Sequence, residues 1–242
     1  MPQGYIERLF DCKGKAGERE QGGMAFQIPA HANRLAVAMP TQTLLGHVLG
    51  ITALGMAITG LAAYFLQGIP FGIAMIAMLI GFVVLFAIRA TRSNESLSLL
   101  LFYLFAFLEG VGIAPVIGNY VSTIGPGVVY DAAMTTALGM AVLGGVVYIT
   151  GLDLRRFQGI LFAALVGLVL VGVISLFFHF ISPTAYSWAT LAIFAGLTLL
   201  DFARIRAGGE GLTPVQMAVQ IYLDALNIFL ALLQIFGGRR RD

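Results

Sequence analysis

Seven apolar stretches, 44–66, 69–88, 96–118, 128–150, 157–181, 184–203 and 214–236, follow one another with short connections between them. Each is close to the ~20 residues that an α-helix needs to cross ~30 Å of hydrocarbon. Only a helix or a closed barrel satisfies its own backbone in lipid, and runs of this length select the helix. A composition of 59% hydrophobic and 11% charged residues is far beyond what one soluble core requires. The expected architecture is therefore an all-α integral membrane protein with seven transmembrane helices. It divides into a polar cytosolic tail over 1–42, a helical domain over 43–238 and a basic end over 239–242.

The tail mixes basic and acidic residues with Gly, Gln and Pro, and its lack of an apolar run distinguishes it from a cleavable signal peptide. It holds the lone cysteine, Cys12, so no internal disulfide framework is expected, and nothing nearby has zinc-ligand spacing. Arg8, Lys13, Lys15, Arg19 and Arg34 in the tail, Arg89 and Arg92 after the second span, Arg155 and Arg156 after the fourth, and Arg204 and Arg206 after the sixth fall on one side. The connections on the other side hold no basic residue, which puts the N-terminus in the cytosol. Arg239, Arg240 and Arg241 oppose that rule, and either a re-entrant seventh segment or a terminal cluster overruled by the earlier helices accommodates them. The expected location is the plasma (inner) membrane.

Four carboxylates, Glu109, Asp131, Asp201 and Asp224, are set inside the spans, while all 14 Lys and Arg lie outside them. An ionisable group at membrane depth is costly and normally faces a cavity, a partner or an ion path. All four share one sign, so the expected cargo is a cation or a proton. In the last span Gln216, Gln220, Asp224, Asn227, Ala231 and Gln234 recur at helical spacing on one face. Lipid would leave these groups without partners, so the face must look into the bundle or onto water, with interhelical hydrogen bonding as the bland alternative. In the preceding span Asp201 lies three residues from Thr198 and three from Arg204, which can pair with it at the rim. Counted from the helix boundaries, Asp201 and Asp224 differ in height by ~7 Å, which tilt and side-chain length can close. Two carboxylates in one low-dielectric site cannot both ionise cheaply and titrate as a unit.

Glu109 sits in Leu108-Glu109-Gly110-Val111-Gly112-Ile113-Ala114-Pro115, where glycines permit close backbone approach and Pro115 frees a carbonyl. It is a pore-lining candidate, as are Gln216, Gln220 and Asn227, or else a protonated acid bonded to a neighbouring helix. Asp131 suits a helix N-terminus or an outer vestibule. His47, His179, Tyr186 and Trp188, near span ends, suit interfacial anchoring.

The run from Ser182 to Gly237, above all Tyr222-Leu223-Asp224-Ala225-Leu226-Asn227-Ile228-Phe229-Leu230, resembles the C-terminal signature of the Bax inhibitor-1 (TMBIM, lifeguard) family. The likeness covers residues 44–237, including the Asp153-Leu154-Arg155-Arg156-Phe157 turn. It implies a seven-helix fold whose last helix is central, and a pH-sensitive calcium leak with an aspartate pair as sensor, matching Asp201 and Asp224. It also implies a latch from an arginine of the second helix to Asp201, for which Arg89 and then Arg92 are the candidates. Where the family often has Tyr-Asp, this chain has Leu200-Asp201, so a tyrosine hydrogen bond is lost there.

On this reading the aspartates bind Ca²⁺ weakly and transiently among hard oxygen ligands, with no tightly bound cofactor. Protonation changes the pull on Arg89 and moves the second helix over the cytosolic mouth. An intramembrane aspartyl protease also uses paired aspartates, but the chain lacks the Gly-x-Gly-Asp and Pro-Ala-Leu motifs, and no enzyme activity is expected. The remaining alternative is a non-transporting regulator that binds another membrane protein, such as the membrane-anchored protease bound by some bacterial relatives, through the tail and Gly46-x-x-x-Gly50. Phosphate-binding glycine loops and nucleophile motifs are lacking, and paired loop arginines suit anionic headgroups rather than nucleic acid.

Overall fold

The computed structural model describes residues 41–178 and 181–239. Cys12, the basic residues of the tail, His179, Arg240 and Arg241 lie outside the described residues. Seven long helices occur among those described: α1 (Thr41–Phe65), α2 (Phe71–Ala90), α3 (Glu95–Thr123), α4 (Gly127–Thr150), α5 (Gln158–Phe178), α6 (Pro183–Arg206) and α7 (Pro214–Arg239). All seven spans are long and apolar enough to cross a bilayer. A short 3₁₀ turn, Arg155–Phe157, precedes α5.

The helix ends follow local chemistry. Asn94 caps α3 by accepting from the Leu97 amide at 3.1 Å, and Ser182 caps α6 by accepting from Ala185 at 3.2 Å, with Pro183 in the first turn. At the end of α4 Gly151 takes φ 71°, and the Arg206 guanidinium packs where its side chain would stand.

α7 is the most buried span and the centre of the bundle. It packs directly on α1, α3, α4 and α6, while α2 completes the wrap by packing on α3 and α5 by packing on α6. α7 runs unbroken to Arg239. Gly237 lies against Tyr120 at the end of α3, and Arg239 shares a small cavity with Asp131 near the start of α4. The C-terminal end thus reaches the end of the bundle opposite Arg155 and Arg204, and α7 is one continuous helix between the two.

Small residues set a close approach of two backbones. A side-chain carbon on Gly110 would stand 2.6 Å from the Thr59 carbonyl oxygen and 2.7 Å from Ala62 Cβ, so α1 and α3 meet where only hydrogen fits. Gly110→Val is expected to cost about 1–3 kcal/mol by overpacking, read as a lower thermal midpoint in detergent.

Candidate functional site

The site is built where α6 meets α7 near the arginine-rich face. Asp201 and Asp224 are 7% and 4% exposed, the only carboxylates buried to this degree among the described residues. Arg204 Nη1 donates to Asp201 Oδ1 at 3.0 Å, one helical turn along α6, and both side chains are nearly enclosed. Asp224 feels the Asp201 charge, has the Thr198 hydroxyl beside it and lies within range of Arg204. Its Oδ2 is buried without a hydrogen-bond partner. Thr198 is itself held by the Phe194 carbonyl at 2.7 Å and lies 3.7 Å from Met140 Sδ on α4.

The charge count defines the chemistry. One guanidinium faces two carboxylates, and burying an excess anion is expensive. Asp224 Oδ2 is a buried carboxylate oxygen that no hydrogen-bond donor satisfies.

From Arg204 the ionic contacts continue to the surface. Arg204 Nε lies 3.8 Å from Glu210 Oε2, and Arg155 Nη1 donates to Glu210 Oε1 at 2.8 Å. Arg155 is in turn gripped by both oxygens of Asp153, at 2.8 and 2.7 Å. Glu210 has φ 51°, the one non-glycine residue at positive φ among those described, between Gly209 (85°) and Gly211 (81°). Its two arginine neighbours tie the α4–α5 and α6–α7 connections together. The Arg155 hydrogen bonds hold the Asp153 carboxyl below the usual carboxylate range.

Other sequence-predicted residues fall elsewhere. Arg89 and Arg92 are exposed at the end of α2, make no ion pair among the described residues, and are not brought to Asp201, whose cation is Arg204. The reason is topological: α2 packs on α3 and has little or no packing against α6. Gln216 is a helix cap, because its Oε1 accepts from the Thr213 amide at 3.1 Å while its own amide donates to Thr213 Oγ1 at 3.2 Å. Thr213-Pro214-Val215-Gln216 is thus a capping box, and Gln216→Ala or Thr213→Ala should each lower stability by about 1 kcal/mol in thermal unfolding. Gln234 accepts from Ser187 at 2.5 Å and joins α7 to α6, the interhelical role expected of an amide.

Asn227 donates to the Leu223 carbonyl of its own helix at 2.8 Å, and Gln220 is half-buried on α7. Glu109 is half-buried on α3 with a carboxyl oxygen near Gly81 of α2, so it lies on the α2–α3 seam away from the aspartate pair. Asp131 sits just past the first turn of α4 beside Arg239. Trp188 is exposed on α6 and His47 on α1, while the Tyr186 hydroxyl donates to the Leu168 carbonyl.

Two contributions escape sequence reading. Tyr222 is wholly buried, edge-on to Phe102 and Phe105, with its hydroxyl 2.6 Å from Thr59 Oγ1, which lies 2.8 Å from the Ala106 carbonyl. Thr59 has one hydrogen to give, so Tyr222 donates to it and α7 is pinned to α1 and α3 two residues from Asp224. Glu210 is the other, because only the fold brings its loop to Arg155 and Arg204.

A seven-helix membrane protein with a buried, charge-deficient carboxylate pair on its last two helices is the class these features define. The chain belongs to the Bax inhibitor-1 family: residues 41–241 match the family described as inhibitor of apoptosis-promoting Bax1. It is 27% identical to the inner membrane protein YbhL of Escherichia coli K12 over 82% of this chain and 93% of that one. It is also 30% identical to a membrane protein of Streptococcus pyogenes serotype M3, over 70% of this chain and 74% of the relative.

Proposed function

We propose that this protein is a pH-sensitive cation leak, with Ca²⁺ as its permeant ion and the Asp201–Asp224 pair as both sensor and transient binding point. The observation that carries this reading is the pairing of two buried carboxylates with a single guanidinium, one carboxylate oxygen being left unsatisfied. A proton and a calcium ion compete for the same deficit of charge, so acidification weakens calcium occupancy and calcium expels the proton. Asp224 and Asp201 offer few ligands, which suits brief occupancy rather than storage. On the orientation expected from the loop arginines, the pair lies toward the cytosolic face, and the Arg204–Glu210–Arg155 chain links it to the α4–α5 and α6–α7 connections.

Calcium flux into liposomes containing the purified chain, measured at a series of pH values, tests this. Flux that follows pH with one transition supports it, and no flux above protein-free liposomes at any pH removes it. The surface end of the chain has a separate expectation. The Asp153 carboxyl, held low by Arg155, keeps its charge while pH falls and would lose this attraction only below the ordinary carboxylate range. Asp153→Asn should therefore leave the pH midpoint of flux unchanged.

A second reading, a regulator that binds another membrane protein such as a membrane-anchored protease, draws on Gly46 and Gly50. Both are exposed on α1 with open space where side chains would stand. Replacing both with leucine should abolish activity on that reading and leave calcium flux intact on the first.

A further inference from the structure

A cavity of about 580 Å³ lies between α1, α3, α4 and α7 in the half of the bundle away from the arginine-rich loops. It exists because α1 and α4, both packed on α7, have little or no direct packing against each other. The gap opens sideways past Gly60, Tyr64, Ala133 and Ala137, which are exposed among the lipid-facing residues of the two helices. Its walls run from Tyr64 to Met56 on α1 and from Tyr130 to Met140 on α4, eight and ten residue steps. At ~1.5 Å per residue this is ~12–15 Å, half of a ~30 Å hydrocarbon core and so the depth of one leaflet.

The interior of the lining is dry. The two threonine hydroxyls in the wall are already used: Thr136 donates to the Ala132 carbonyl at 2.8 Å, and Thr59 is bonded to Tyr222 and Ala106. The buried polar atoms without partners, on Tyr148, Ser175 and Asp224, are not among its lining residues. Water or a hydrated cation would find almost nothing to bond, and a void of this size within a bilayer would forfeit the contacts that hydrocarbon supplies. Gln67, Tyr64 and Tyr130 at the mouth place amide and phenol groups at the level where aromatic residues meet headgroups.

We propose that this cavity holds one acyl chain of a bilayer phospholipid, entering sideways between α1 and α4 with its tip on Met140. Met140 forms the floor and its sulfur touches Thr198, the neighbour of Asp224, so the bound chain seals the carboxylate pair from that face. The lipid is a structural ligand in the wall of the bundle, and this assignment stands whether or not the pair conducts calcium.

The full chain, reconstituted in liposomes doped with a phospholipid bearing a diazirine in one acyl chain, tests it by mass-spectrometric mapping of adducts. Adducts are expected on Met56, Ile117 and Met140, and they should be lost in Gly60→Leu, whose side chain enters open space in the cavity. They should persist in Gly145→Leu, an equally open position outside it. Adducts confined to outward residues such as Phe82 and Ile160, unchanged by Gly60→Leu, would overturn the assignment. So would cavity labelling by a photoreactive free fatty acid but not by the phospholipid. As an independent arm, Met140→Cys in a Cys12→Ser background should resist a membrane-impermeant thiol reagent applied to either side of the liposome. Rapid labelling there would mean a water-filled vestibule and no acyl chain.

Discussion

Asp201→Asn/Asp224→Asn should leave a folded protein whose calcium flux no longer follows pH. Asparagine keeps the size and much of the hydrogen bonding of aspartate but carries no exchangeable charge, so neither a proton nor a calcium ion has a deficit to fill. In the unaltered chain one proton competes with the cation, and over the range in which the pair is protonated the apparent calcium dissociation constant should rise by up to about tenfold for each unit that pH falls. The double variant should show a flat profile with much weaker calcium dependence. Either single variant should also lose most of the dependence, because Arg204 then balances the one remaining carboxylate. Flux in liposomes between neutral and acidic pH is the measurement, and a double variant that retains the wild-type profile would remove the pair from the mechanism.

Arg204→Met should be the most destabilising single change in the site. Methionine fills much of the same volume but leaves two enclosed carboxylates with no cation, and breaking a buried pair from one side costs about 3–5 kcal/mol. The loss should appear as a large fall in the thermal midpoint in detergent, and it should deepen as pH rises and the carboxylates are forced to ionise. Arg204→Met/Asp201→Asn should recover most of it, because the anion that needed the guanidinium is gone. A recovery no greater than additive would place Arg204 in general packing rather than in charge balance.

The spans and the polar face of α7 were legible because both are one-dimensional signals, hydropathy over ~20 residues and recurrence at 3.6. Asp201, Asp224 and the i,i+3 partner Arg204 come from the same kind of signal. Gln216 shows where spacing misleads. It lies on the predicted face, yet the first turn of a helix has free amides that recruit it, and Thr213-Pro214-Val215-Gln216 carries the signature. Arg89 shows a different limit. Its charge and depth suit a latch, but which helix α2 touches is decided by close packing on α3, where Gly112 meets Met78 and Gly81 meets Phe105, and no periodicity encodes that choice. Glu210, in a glycine-rich loop, gives no sign that it will meet an arginine 55 residues earlier in the chain.

Whether a proton and a calcium ion occupy the same point between Asp201 and Asp224 can be read from infrared difference spectra of the purified chain on adding calcium at fixed mildly acidic pH. Loss of a protonated-carboxyl band on calcium binding, present in the unaltered chain and absent in Asp224→Asn, is the predicted result. A band that calcium leaves unchanged, or that is lost equally in Asp224→Asn, would contradict the shared site.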